Sequence, residues 1–445
     1  MMTADTASTA STSEWLRRHA ADTPGRVAVS CATRSLTYRQ LLDEALALAA
    51  TLAHAPRLVT LRDTQDADFL VSYLAVHLAG KVAVPIETAM PDVAVSRIKA
   101  LAETAPVPDG VADVLFTTGT TGLPKGVMVG HRAIEADAEN LVGAQGYHAG
   151  LTFVASGPLS HIGTLSKIWP TLLAGATLHI TQGMKDADAL LRAFETAPGR
   201  AATFLVPASL RILLALDRRR LSAAADKVEF IETGAAPMTA ADMRLLRETL
   251  PQSRLYNTYA STETGIIATH DYATGECLPG CLGLPMRHSR FFITADGRVA
   301  CQGPTLMTGY LADEALTASV LRDGILYTGD TGHIDAQGRL HLEGRHDDVI
   351  NVGGYKVQPS EVENAAMAAG GLKECVCVAC AHPIAGEALK LIVVPDGTTP
   401  FDARQLARYM RTVLEPYKLP SRYEQAEAVA RTYNGKIDRK HYRKP

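Results

Sequence analysis

The sequence predicts an α/β protein: a large body of largely parallel sheets, a small β-rich subdomain, and a small α+β domain at the C-terminal end. Three observations carry this. Between about residues 80 and 260, apolar runs of strand length alternate with amphipathic stretches of helical length, the pattern of parallel sheets joined by helical crossovers. After about residue 270, short strands and Gly-rich turns take over, as at Ala295-Asp296-Gly297, Arg322-Asp323-Gly324 and Ala336-Gln337-Gly338. From Asp347, a stretch of about a hundred residues has the size and mixture of a separate small domain.

The elements follow in order. Helical periodicity is read at Ser13–Ala20 and at Tyr38–Leu52, where Leu41, Leu42, Ala45, Leu48 and Leu52 share a face. Helix-like Asp68–Leu78 precedes Gly80–Ile86, a buried strand. The apolar runs Val111–Phe116 and Gly126–Val129 read as two strands joined by a Gly/Thr-rich loop. Further strands are expected at Phe153–Ser156, Ala202–Val206, Val228–Glu232 and Leu255–Tyr259. Helices are expected between them at Ile162–Leu173, Ala187–Thr196, Ala208–Leu216 and Ala240–Leu250. The last region offers strands at Glu374–Ala379 and Lys390–Val394 and a helix at Asp402–Leu414.

Composition narrows the function class. The 445 residues are 20% charged and 47% hydrophobic, ordinary for a globular chain. Lys+Arg 44 against Asp+Glu 47 gives a net charge of -3, which provides no basic field for nucleic acid. No stretch approaches the ~18 apolar residues of a membrane helix. The small, polar opening residues do not read as a signal peptide. A soluble cytoplasmic protein is the expectation. Seven cysteines, an odd number, argue against a disulfide framework. The run Cys375-Val376-Cys377 fits a strand with both thiols on one face better than it fits a metal site.

The chemistry is concentrated in a few motifs. Thr117-Thr118-Gly119-Thr120-Thr121-Gly122-Leu123-Pro124-Lys125-Gly126 reads as a loop that holds polyphosphate. Its glycines let backbone approach a bulky anion, its threonines offer hydroxyl donors, and Lys125 supplies a point charge. It differs from G-x-x-x-x-G-K-[ST], which runs straight into a helix. Asn257-Thr258-Tyr259-Ala260-Ser261-Thr262-Glu263 ends a predicted strand, where ligand sites sit in open α/β sheets. Gly234-Ala235-Ala236-Pro237 follows another strand. Tyr327-Thr328-Gly329-Asp330, the long run from Gly344 to Glu363, and Arg431–Asp438 complete the set.

In this order, these motifs resemble those of the adenylate-forming superfamily: acyl- and aryl-CoA ligases, peptide-synthetase adenylation domains and luciferases. The likeness spans about residues 13 to 440. It implies two α/β sheets and a β-rich subdomain in an N-terminal adenylation domain (1–345), and a mobile C-terminal domain (347–445) hinged at Asp347. The implied reaction joins ATP and a carboxylic acid as acyl-AMP, then passes the acyl group to a thiol. That thiol belongs to coenzyme A or to the phosphopantetheine of an acyl carrier protein; a nitrogen nucleophile is the alternative acceptor.

The implied roles follow residue by residue. Thr117, Thr118, Gly119, Thr120, Thr121, Gly122 and Lys125 cradle the phosphates. Gly234, Ala235 and Ala236 form the adenine wall. In the segment beginning at Asn257, Tyr259 stacks on adenine, Thr262 donates to the α-phosphate and Glu263 holds Mg²⁺. Asp330 binds the ribose hydroxyls and Arg345 touches ribose or phosphate. Gly353 and Gly354, with Lys356 beside them, flank the thiol's tunnel. Lys436 reaches in during adenylation, where a cation offsets repulsion between carboxylate and phosphate. His161 lies between the ATP and acyl sites.

Departures from the family pattern carry information. Ala260 stands where Gly is usual and Ala430 where Pro is usual, and Ile325-Leu326-Tyr327 replace the aromatic and basic residues before Thr328-Gly329-Asp330. Ile162 stands where peptide synthetases place an aspartate for the α-ammonium, so an α-amino acid is not the expected substrate. Candidate pocket residues are His161, Thr164, Leu165, Lys167, Ile168 and Ser261; Lys167 suggests a second anionic group on the acid but is expected to face solvent. The segment between Pro85 and the phosphate loop is short for the family. A strand–helix unit is expected to be missing or reduced there, which would change either dimerisation or one wall of the acyl pocket and leaves a homodimer open.

Overall fold

The structure is a computed structural model that describes residues 11–118, 124–353, 355–382, 386–398, 400–431 and 437–442. It divides into two units: Met1–Phe292 with Ala300–Thr328 and Ile334–Leu340, and Ile293–Val299 with Gly329–His333 and His341–Pro445.

In the first unit, one sheet runs in the order Cys281–Pro285, Gly265–Asp271, Arg254–Ser261, Val228–Gly234, Ala201–Leu205, Thr152–Ala155, Thr177–Ile180, Val27–Ser30 and Ser35–Thr37. Neighbours from Arg254–Ser261 through Val27–Ser30 are parallel. Gly265–Asp271 is antiparallel to both Arg254–Ser261 and Cys281–Pro285, and Val27–Ser30 is antiparallel to Ser35–Thr37. A second sheet has the order Gly309–Tyr310, Pro124–Gly130, Val111–Thr118, Val82–Ile86 and Leu58–Arg62. Its last three strands are parallel, and Val111–Thr118 pairs antiparallel with Pro124–Gly130.

Local chemistry explains the elements. The helix Tyr38–Thr51 starts on a capping box, in which Thr37 and Gln40 exchange side-chain and backbone bonds. Asp66 caps Ala67–Leu78 by accepting from the N–H groups of Asp68 and Phe69. Val82–Ile86 is buried along its whole length, as a strand covered on both faces must be. The segment before the phosphate loop still carries a helix, Asp92–Thr104, so the crossover there is complete although short. The helix beginning at Pro207 runs on to Ala223, beyond the expected end at Leu216. Its non-helical Asp217 breaks the periodicity that would otherwise reveal the second half.

In the second unit a sheet orders Tyr355–Val357, Ile350–Val352, Gly386–Pro395 and Leu372–His382, with Arg422–Gln425 also paired to Gly386–Pro395. The helices Pro359–Ala368 and Ala403–Val413 accompany it. Cys375 and Cys377 lie on the strand Leu372–His382 and are buried among Ile350, Val362, Leu391 and Met410. Burial pushes both thiols above the ordinary cysteine range. No helix among the described residues is long and apolar enough to cross a membrane.

Candidate active site

The Gly/Thr-rich loop read above as a phosphate loop joins two paired strands, as its sequence predicts. Thr117 pairs with Lys125 and Thr118 with Pro124. Gly119, Thr120, Thr121 and Gly122, and the Thr118 side chain, lie outside the described residues, as do Gly354 and Lys436. Lys125 is described, and its Nζ lies 5.7 Å from the centre of the Tyr310 ring. The Tyr310 hydroxyl donates to Glu263 Oε1 at 3.0 Å. Tyr310 is held there because Gly309–Tyr310 pairs with Met128 and Val127 on the strand after the loop. The structure thus joins Lys125 and Glu263 through a residue that sequence reasoning missed. A lone Tyr after a Gly carries no ligand signature.

The turn bearing Thr262 and Glu263 follows directly from the strand Arg254–Ser261. Ser261 N donates to Thr264 Oγ1 (2.9 Å) and Thr264 N to Ser261 Oγ (3.0 Å), a reciprocal closure that fixes the two residues between them. Behind the turn, Gly265 has φ +65°, and a Cβ there would meet both Asp137 carboxylate oxygens at 2.8 Å. Asp137 accepts from Ile266 N at 2.8 Å. Burial pushes its carboxyl well above the ordinary range, against that hydrogen bond and the Lys167 charge. Asn257 donates to Cys281 O at 3.0 Å, so its amide reaches past Gly265–Asp271 to tie the next strand but one. Tyr259 lies buried in the same strand.

One strand over, Gly234 pairs with Thr258. A side chain at Gly234 would stand 2.9 Å from Thr258 O, so the backbones here approach as only glycine allows. Ala235 follows with φ +65°, a left-handed conformation that costs an L-residue energy. His161 precedes the helix Ile162–Ala174. Its loop is pinned by buried Asp63, whose Oδ2 accepts from Ser160 N and Ser160 Oγ, both at 2.9 Å. Gln65, from the loop after Asp63, donates to Gly157 O (2.8 Å) and Thr181 O (3.0 Å).

The expectation that Lys167 faces solvent is overturned. Its side chain is 3% exposed and its Nζ lies 2.8 Å from Glu232 Oε1, itself fully buried. A charge at this depth needs a partner, and the partner stands 65 residues away on another element, invisible to local periodicity. Thr164, Leu165 and Ile168 are buried on the same helix. On its other side Trp169 Nε1 donates to the Tyr73 oxygen (3.0 Å), and Tyr73 donates to Asp113 Oδ2 (2.8 Å). Asp113 sits on the strand that leads into the phosphate loop, with His77 Nε2 2.9 Å from its other oxygen.

In the second unit, Asp330 and Arg345 meet: Arg345 Nη1 lies 3.2 Å from Asp330 Oδ1. A Cβ at Gly329 would stand 3.2 Å from Arg345 Nη2, so glycine leaves room for the guanidinium. Gly353, at φ +59°, turns the chain between Ile350–Val352 and Tyr355–Val357, and Lys356 is exposed on the latter. Asp347 is exposed in a single 3-10 turn, His346–Asp348. Arg431 and Ile437 pair across the stretch that contains Lys436. Arg439, just beyond, bonds Glu363 and the carbonyl of Cys377.

Among the described residues, no cluster of three His, Cys, Asp or Glu side chains could hold a metal. One carboxylate with room for phosphate oxygens and water is nonetheless an ordinary Mg²⁺ site, because Mg²⁺ keeps most of its waters. Glu263 fits that donor set.

Comparison with known proteins identifies the family. The AMP-binding enzyme family matches residues 16–105 and 98–311, and the AMP-binding enzyme C-terminal domain matches residues 361–436. Indoleacetate–CoA ligase of Aromatoleum aromaticum is 32% identical over 337 residues, 73% of this chain and 65% of that protein. The chain thus spans just under two thirds of that relative's length. D-alanine–D-alanyl carrier protein ligase of Staphylococcus epidermidis is 26% identical over 466 residues, 94% of this chain and 95% of that protein. Amide bond synthetase McbA from Marinactinospora thermotolerans superposes with a TM-score of 0.88 at 25% identity, covering 97% of this chain and 99% of that one. Both family regions fall in their expected order along one chain, and this protein belongs to the adenylate-forming superfamily of AMP-binding enzymes.

Proposed function

We propose that the protein is an ATP-dependent acid–thiol ligase: carboxylate and ATP give acyl-AMP and pyrophosphate, and a thiol then takes the acyl group, releasing AMP. The observation that carries the first step is the Lys125–Tyr310–Glu263 cluster, a cation and a carboxylate set together where a loop hairpin meets a strand-end turn. Lys125 attracts the β- and γ-phosphates, and Thr117, Thr118, Thr120 and Thr121 donate to them. Gly234, Ala235, Ala236 and Tyr259 hold the base. Thr262 donates to the α-phosphate, and Asp330 with Arg345 takes the ribose. Mg²⁺, bound through Glu263, would neutralise phosphate charge. Lys436 offsets repulsion as the carboxylate oxygen attacks phosphorus and pyrophosphate leaves.

For the second step we propose coenzyme A as acceptor, with Gly353, Gly354 and Lys356 beside the thiol and Asp347 as the boundary between domains 1–345 and 347–445. The likeness to indoleacetate–CoA ligase supports this. The near full-length match to a carrier-protein ligase supports a phosphopantetheine arm as the same thiol in another carrier. The likeness to an amide bond synthetase supports a nitrogen acceptor as the second reading. Lys436→Ala tests the scheme. Pyrophosphate release should fall by about 10²–10³, while thioester formation from supplied acyl-AMP stays largely intact. Equal loss of both half-reactions would make Lys436 structural and the scheme wrong.

A further inference from the structure

The strand ends that carry Thr258 and Gly234 continue to a third parallel strand, Ala201–Leu205, whose Phe204 pairs in register with Glu232. The Phe204 ring tip is wedged between two glycines. A Cβ at Gly163 would stand 3.0 Å from Phe204 Cε1, and one at Gly234 would stand 3.4 Å from Cε2. Gly163 and Lys167 lie one helical turn apart, on the same face. Lys167 Nζ lies 5.2 Å from the centre of the Phe204 ring, beside the Glu232 carboxylate. At the strand ends, the half-buried Phe204 ring thus has a glycine on either side and a neutralised ion pair behind it.

We propose that Phe204 is the end stop of the acid's pocket. The substrate, on the adenylation reading above, is then a short monocarboxylic acid whose uncharged tail ends on that ring. Ligands of open parallel sheets sit outside the carboxyl ends of the strands, which is where these residues gather. From Arg254–Ser261 to Ala201–Leu205 is two strand spacings, about 10 Å. Subtracting one contact distance leaves about 6 Å, the span of a single ring or a short chain. The charge balance argues against a second carboxylate. Glu232 already neutralises Lys167, so a further buried anion would be uncompensated. Tyr147 and Glu232 Oε2, both buried without a hydrogen-bond partner, add no cation.

The test compares the unchanged protein with Phe204→Ala and the milder Phe204→Leu. Pyrophosphate release is measured over monocarboxylic acids from acetic to dodecanoic, flat aryl acids, and dicarboxylic acids of matched length. In the unchanged protein kcat/KM should fall off beyond the short acids, with dicarboxylic acids roughly tenfold worse at equal length. Phe204→Ala should move the fall-off to longer acids, raising kcat/KM for octanoic acid by roughly tenfold or more with the KM for ATP unchanged. Turnover with the same fall-off in all three proteins, or a preference for dicarboxylic acids, overturns the proposal and leaves the adenylation reading standing. Absence of pyrophosphate release with every acid overturns that reading instead. Thermal shift with the same acids, which needs no turnover, then decides the end stop. A length limit that moves in Phe204→Ala supports it, and an unmoved or absent limit overturns it.

Discussion

Separating Lys167 from Glu232 should cost far more than removing both. With side chains 3% and 0% exposed, each charge has exchanged water for the other. Removing one partner from a buried pair typically costs about 3–5 kcal/mol, while replacing both with packed apolar residues is near neutral. The surroundings rank the two single changes. In Lys167→Met, Glu232 keeps its charge, and its Oε2 already lacks a hydrogen-bond partner, so the cost should lie near the upper figure. In Glu232→Leu, the Asp137 carboxyl remains within electrostatic reach of Lys167, so the cost should lie near the lower one. If the effects added, the double variant would lose about 6–10 kcal/mol; we expect it within about 1.5 kcal/mol of the unchanged protein. Urea unfolding followed by tryptophan emission is suited to the measurement. The chain has two tryptophans, and Trp15 and Trp169 are both buried in the first unit, which holds the pair. Single variants that lose less than about 1 kcal/mol, or a double variant that loses the full sum, would refute a tightly coupled buried pair.

Three further outcomes are expected. Tyr310→Phe removes the hydroxyl that orients Glu263, and should raise the Mg²⁺ concentration for half-maximal pyrophosphate release by about 2–10-fold, the worth of one hydrogen bond; an unchanged metal requirement would separate Tyr310 from the metal site. Ala235→Gly should stabilise the first unit by about 1 kcal/mol by relieving its left-handed backbone, whereas Gly234→Ala should destabilise it and weaken ATP binding. Urea midpoints and nucleotide titrations check both. His131 is held down to about pKa 4 by burial and the nearby His77, against the pull of Asp113. The unfolded chain therefore binds the extra proton first. Stability from this group is complete above about pH 6.5 and is lost as pH falls towards 4. Melting temperature should accordingly fall less steeply across that window in His131→Gln than in the unchanged protein.

What the sequence made legible was local. The hairpin around the phosphate loop follows from two apolar runs and the glycines between them, and Thr262-Glu263 could be placed beyond a strand because Leu255–Tyr259 reads as one. What stayed hidden depends on distant pairing. Tyr310 acquires its meaning from Glu263, 47 residues away, and Lys167 from Glu232, 65 residues away. No periodicity encodes either. The same holds for Asp137 on the helix His131–Gln145, which the sequence reading leaves unassigned and which gains its meaning only where the turn at Gly265 closes against it. The helix Asp92–Thr104 escaped for a different reason: it buries only Ile98 and Ala102, too thin an apolar stripe to stand out.

The chain from Trp169 through Tyr73 to Asp113 has a practical meaning for altering this protein. It braces the helix behind His161 against the strand that leads into the phosphate loop, and Trp169 projects about 200° around that helix from Lys167. The face that would choose the acid and the face that aligns it with the nucleotide are therefore back to back on one rod. If Phe204 is the end stop proposed above, a library that varies Phe204, Gly163 and their neighbours should redraw the choice of acid while the brace is left intact. On the proposed reading, a library that reaches Trp169 or Tyr73 should instead lower pyrophosphate release with every acid at once.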